Sequence, residues 1–198
     1  MSAFAAVLRL LVAALLGAAH PAARPAAPVA SPIGRGPRFE LPTGARADRG
    51  APIRGLRCSA ASGAWADAHV EVFAAGRVVI VPPGVGIARP RIQTGAVVRG
   101  GRCWYAVRTT DPTGVVRYRP GAGLDLADVF AVWGQPLGRH RLCGFRSAAV
   151  RVYVDGRRVH RVPGTVPLRR HAEIVVEIGR FVPPHHSYLF VDGKAATA

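Results

Sequence analysis

Arg117 and Arg119 stand two residues apart in the run Val115-Val116-Arg117-Tyr118-Arg119, and alternate residues of a strand share a face. Two guanidinium groups on one face fit the oxygens of a carboxylate, sulfate or phosphate, so the chemistry they could do is anion binding. Three cysteines, Cys58, Cys103 and Cys143, allow three ways of making one disulfide and leaving one thiol. None of them forms a Cys-x-x-C pair, which speaks against a redox enzyme. His185 and His186 follow Pro183-Pro184; neighbours on an extended chain point to different sides, and exposed imidazoles are expected there. His140, His160 and His171 fall in Arg-rich, turn-like or outward-facing positions and read as surface. Gly84-Val85-Gly86 reads as a turn. The chain has no Gly-x-Ser-x-Gly elbow, no phosphate-cradling glycine loop and no close carboxylate pair poised for acid and base roles, so no catalytic residues are assigned.

The formal net charge of +16 attracts polyanions, as any protein that neutralises phosphates would. Its distribution argues against dedicated nucleic-acid recognition. The only lysine is Lys194, the arginines are scattered from Arg24 to Arg180, and they accompany heavy Ala, Gly and Pro usage, as codon bias in a GC-rich genome would produce. Tyr105, Tyr118, Tyr153 and Phe190 occupy core-like strand positions without an RNA-binding signature. The partners expected are an anionic surface, polymer or protein, with no specific nucleic acid.

Residues 10–19 form an apolar run behind Arg9, with Gly17 and Ala19 where a signal peptidase needs small side chains. Residues 1–19 therefore read as a cleaved signal peptide, and the run falls short of the roughly 20 residues that span a bilayer. Export to the cell envelope or medium follows, with no transmembrane segment after cleavage. Residues 20–52, rich in Pro, Ala, Gly and Arg, read as a flexible linker. A single domain is expected over 53–192 and a frayed tail over 193–198.

Within the domain, alternation of apolar and polar residues predicts hairpins at 69–81 and 150–162, turning at Ala74-Ala75-Gly76 and Asp155-Gly156. Aligning Gly76 on Gly156 superposes Val70 on Val150, Val72 on Val152 and Val79 on Val159, the same element twice. Residues 104–109 and 115–119 make a third pair around Asp111-Pro112-Thr113-Gly114. Asp125 caps a helix that carries Leu126, Val129, Phe130 and Trp133 at helical spacing and ends at Gly134 before Pro136. Trp133 reads as core. Strands are expected at 172–178 and 187–191. The class is α+β, mostly β: antiparallel hairpins with one amphipathic helix. The order from Cys103, hairpin, helix, hairpin, strand, is β-grasp-like, with the 69–81 hairpin added in front.

Residues 103–137, CWYAVRTTDPTGVVRYRPGAGLDLADVFAVWGQPL, resemble a motif block in a family of uncharacterised exported bacterial and archaeal proteins. That block has a Leu-His-Thr-His-Asp turn, a strand with His and Glu, and a helix ending in Trp-Gly-Gln-Pro-Leu, here residues 133–137. The likeness extends to both hairpins, Val85-Gly86-Ile87, Pro183-Pro184, Tyr188 and Phe190. It implies a Cys58–Cys103 disulfide, which the chain-entropy account values at about 4 kcal/mol at most, and leaves Cys143 buried or reactive. In the family an alternating His-x-His-x-His precedes the first hairpin and, with the turn, looks like a site for zinc or copper. Here Trp65 and Asp67 replace the first two histidines and His69 matches the third. Arg108 and Thr110 replace the turn histidines, Asp111 is kept, and Arg117 and Arg119 occupy the positions of the His and Glu.

These replacements imply that the inherited metal site is lost, with no cofactor. Two roles for the arginines stay open. Arg108 or Arg117 could pair with Asp67 and Asp111 in the cation's place, or Arg108, Arg117 and Arg119 could form an anion-binding patch. The expected function is an exported, non-catalytic binding or structural domain recognising an anionic ligand or partner. The alternative is a metal-binding protein or metalloenzyme with a reduced zinc or copper site at Asp67, His69 and Asp111, helped by His185 or His186.

Overall fold

The computed structural model describes residues 38–60, 62–146 and 149–190. The expected signal peptide at 1–19, the first part of the linker and the tail at 193–198 lie outside them. In chain order the elements are β1 (Arg38–Glu40), α1 (Ala45–Asp48), β2 (Ala66–Ala74), β3 (Arg77–Ile80), β4 (Arg91–Thr94), β5 (Val97–Gly101), β6 (Val107–Arg108) and β7 (Val115–Tyr118). There follow α2 (Leu126–Trp133), β8 (Leu137–Gly138), β9 (Arg141–Leu142), β10 (Phe145–Arg146), β11 (Val150–Val154), β12 (Arg157–Val159), a 3-10 turn (Pro163–Thr165) and β13 (Glu173–Ile178).

The fold is α+β and mostly β. Its main sheet runs β1-β3-β2-β13-β11-β12, with β7 also on β2 and β6 on β7. β13 lies parallel to β2 while β11 and β12 continue antiparallel. Hairpin, helix, hairpin and a last strand returned beside the first make a β-grasp plan, but the founding hairpin is β2–β3. The Cys103 ribbon, β6–β7, is the addition, the reverse of the expected arrangement. The physical reason is the length of β2. Its one edge holds β7 along Ala66–His69 and β3 along Val72–Ala74, and local turn signals do not reveal which hairpin meets β13.

Both hairpins that resemble each other in sequence turn the same way. Ala75 and Gly76 have φ of 53° and 75°, Asp155 and Gly156 have 52° and 75°, the left-handed pair that a two-residue hairpin needs to match strand twist. The helix is also as expected. Asp125 and Asp128 form a reciprocal capping box and Gly134 closes α2 at φ 79°. Leu126, Val129, Phe130 and the wholly buried Trp133 share a core with Ala66, Ala68, Val70, Val72 and Ala74 of β2. One face of β2 is therefore spent on the helix.

Three expectations about order are corrected. Residues 38–52, assigned to a flexible linker, are folded: β1 pairs with β3, and Asp48 of α1 accepts hydrogen bonds from Thr43, Arg89 and Arg91. Composition hid this because small residues pack without an apolar stripe. Of the strand expected at 104–109 only Val107–Arg108 joins a ladder, Trp104 instead bridging Ser59 and Ile87. Ser187–Phe190 takes no ladder position, since its aromatic side chains cover the sheet face instead.

Cys58 and Cys103 are disulfide-bonded. Cys143 is free and fully buried, and burial pushes its thiol up to about 12. The thiolate is the reactive form, so iodoacetamide at pH 8 is expected to leave the native protein unlabelled and to modify one site per chain after unfolding; labelling of Cys143 in the native state would contradict the buried placement.

Candidate functional site

Alternation along β2 turns Asp67, His69, Glu71 and Phe73 away from α2. Register then assembles a polar row on this second face. Arg117 of β7 stands opposite Asp67, and Arg108 of β6 opposite Arg117. Glu173 and Glu177 of β13 stand opposite His69 and Phe73, and Arg151 of β11 opposite Glu177. The chain beyond β13 crosses this face as a strap. Val182 N donates to Glu177 Oε2 at 2.9 Å, Tyr188 stacks on the His69 ring with centroids 3.9 Å apart, and Phe190 packs edge-on against Tyr188.

At the β6–β7 end, Arg117 Nε donates to Asp67 Oδ1 at 3.1 Å. The Arg108 guanidinium lies 3.7 Å from the Trp65 ring centroid and 4.2 Å from that of Trp104, and Arg119 lies 4.2 Å from Trp65. Guanidinium planes stack well on indole faces. Arg108 is only 8% exposed, and its Nε and Nη1 have no hydrogen-bond partner. Burial, followed by the charges of Arg117 and Arg119, lowers its pKa to about 10 against the opposing pull of Asp67. It stays charged at neutral pH. Three cations thus share one carboxylate. A cleft of about 270 Å³ is lined by Arg119 and by the two tryptophans that flank Arg108, together with Arg57 and Ser59 among others.

The residues expected to hold a metal are not brought together. Asp67 is taken by Arg117, and Asp111 is taken by its own turn, where it accepts from Thr113 N at 3.0 Å and from the Thr110 and Thr113 hydroxyls. Among the described residues the three side chains whose ligating atoms approach within 4.8 Å of one another are His69, Glu71 and Glu173. His69 Nδ1 lies 2.7 Å from Glu173 Oε2, and Nε2 lies 2.7 Å from the Thr113 carbonyl oxygen. His185 reaches back from the strap to place Nδ1 2.7 Å from Glu71 Oε2. Its neighbour His186 points elsewhere, packing against Gly156 so tightly that no β-carbon would fit there.

Glu71, Glu173 and Glu177 are the residues that sequence reasoning missed. A signal existed: Glu71 shares the His69 face by alternation, and Glu173 and Glu177 share one face of the strand expected over 172–178. Glu177 is satisfied by Arg151, Tyr153 and Val182. Glu71 is not. Burial raises its pKa, the His185 hydrogen bond opposes that, and the charge of Glu173 adds to it.

Comparison of the chain with protein-family profiles, curated proteins and solved structures returns no match. Among the described residues no helix is long and apolar enough to cross a membrane.

Proposed function

We propose that the chain is an exported, non-catalytic binding domain, a divergent member of the exported family its 103–137 block resembles, and that it recognises an anionic group at the Arg108–Arg119 end of the sheet. The observation that carries this reading is Arg108: a buried guanidinium stacked on two tryptophans with two N–H groups unpartnered. Buried polar groups are almost always hydrogen-bonded, and planar N–H pairs match an oxyanion. An excess of positive charge among Arg108, Arg117 and Arg119 over Asp67 gives an anion a favourable field. The disulfide supports export, because such bonds persist in oxidising compartments.

Tryptophan fluorescence tests the reading, since two of the chain's three tryptophans flank Arg108 while Trp133 is buried in the core. Titration with inorganic sulfate, inorganic phosphate and a polyuronate is expected to give a saturable change for at least one probe. Arg119→Gln, which leaves the Arg108 stack in place, is expected to weaken it about tenfold, the loss of one charge-assisted hydrogen bond. No saturable response to any probe, or unchanged affinity in the variant, would refute the assignment.

A further inference from the structure

The His69–Glu71–Glu173 group lies one strand from Arg117 and two from Arg108, and neither the disulfide nor the anion site uses it. Three nitrogen and oxygen ligands converge there, His69 and Glu71 from β2 and Glu173 from β13, and His185 from the strap touches Glu71 at their margin. His69, Glu71 and Glu173 are 1%, 7% and 0% exposed, and the Oε1 atoms of both glutamates have no hydrogen-bond partner. Buried carboxylate oxygens without donors are costly, and a cation is what such oxygens accept.

The hydrogen bonding of His69 fits it for this role. A backbone carbonyl can only accept, so Nε2 carries the hydrogen shared with Thr113. Nδ1 is left with its lone pair once the proton it shares with Glu173 is displaced. Histidines that ligate metals commonly donate their other ring N–H to a carbonyl in this way, which fixes tautomer and ring orientation. Tyr188, stacked on the ring, holds it further. Charge also balances: two carboxylates offset one divalent ion with both imidazoles neutral.

We infer that His69, Glu71, Glu173 and His185 form a binding site for a divalent transition-metal ion, zinc foremost. Two imidazoles and two carboxylates suit that ion, which takes four such ligands at about 2.0–2.2 Å. Tetrahedral donors at that radius are about 3.4 Å apart. Among His69, Glu71 and Glu173 the present separations, up to 4.8 Å, must close by an ångström or so, a movement within the torsional freedom of the glutamates, while His185, which touches the group only through Glu71, swings in from the strap. Closing the site on an ion fastens the strap to the sheet through His185.

Elemental mass spectrometry and calorimetry on the full chain, carrying no affinity histidines and challenged with zinc or cobalt, are expected to find one ion per chain. Glu71→Gln keeps the side-chain shape and is expected to lose at least a hundredfold in affinity. His185→Ala alters only the half-exposed strap residue and is expected to lose about tenfold, with a changed visible spectrum for bound cobalt. His186→Ala, outside the site, is expected to bind as the parent does. Circular dichroism shows whether each protein is folded; should Glu71→Gln unfold, His185→Ala decides. No ion taken up by the folded parent, or full affinity retained by His185→Ala, would overturn the site. Neither result touches the anion reading, which is probed separately by fluorescence of the Arg119 variant.

Discussion

Replacing Glu173 by alanine in metal-free protein is expected to cost about 1–3 kcal/mol, because it leaves His69 Nδ1 buried without its hydrogen-bond partner. The two side chains are 1% and 0% exposed and 2.7 Å apart, so the pair is shielded from bulk solvent. With Nε2 already committed to Thr113, the ring cannot turn to satisfy Nδ1 without giving up that bond. Removing both groups should cost far less. The double variant His69→Phe, Glu173→Leu keeps a ring for Tyr188 to stack on and fills the space with apolar atoms; buried ion pairs exchanged for apolar residues of similar volume are often neutral or stabilising. Urea unfolding of parent, singles and double, with chelator present and the disulfide intact, gives the coupling energy directly. A cost below about 1 kcal/mol for Glu173→Ala would show that the pair does not bear on stability in the way its burial demands. A double variant as unstable as the sum of the singles would show the same.

Loss of the Cys58–Cys103 bridge is the second large effect expected. It closes a loop with a sequence separation of 45, for which the chain-entropy account gives about 4 kcal/mol. The bridge also has a local task. It ties the segment before β2 to the Trp104 region, where Ser59 and Trp104 exchange backbone hydrogen bonds of 2.8 and 2.9 Å. Trp104 is one of the two rings on Arg108. The double variant Cys58→Ala, Cys103→Ala is therefore expected to lower the urea midpoint and, below that midpoint, to weaken anion binding as well. If stability falls by less than about 1 kcal/mol, the loop is held by other contacts; if stability falls and the fluorescence titration is unchanged, Trp104 is positioned without the bridge.

Much of the scaffold was legible in the chain. Hairpins at Ala75-Gly76 and Asp155-Gly156, the Asp125 cap, the Gly134 stop and the buried Trp133 all depend on neighbours within a few residues, and local chemistry specifies them. Which strands meet across the sheet does not. That β13 returns beside β2 is a long-range choice, and with it went the partners of His69: a reader of the sequence sees His69 beside Asp67 and Asp111 by motif, whereas register pairs it with Glu173, whose side chain lies 104 residues away. The folding of residues 38–52 escaped notice for a different reason. Its anchor is a polar node at Asp48, which leaves no apolar periodicity to detect.

The parallel pairing of β2 with β13 at the centre of the sheet has a kinetic meaning. These strands are contacts of high sequence separation, and such contacts are made only after a large loss of chain entropy, which slows folding. While β13 is still to be synthesised, β2 can form its hairpin with β3 but presents its other edge, with Val70 and Val72, to any strand that comes near. Exposed edges of this kind recruit other chains. Acquisition of structure is consequently cooperative, with the decisive step waiting for β13 to appear, and a truncation before Glu173 is expected to yield an aggregation-prone chain rather than a smaller domain.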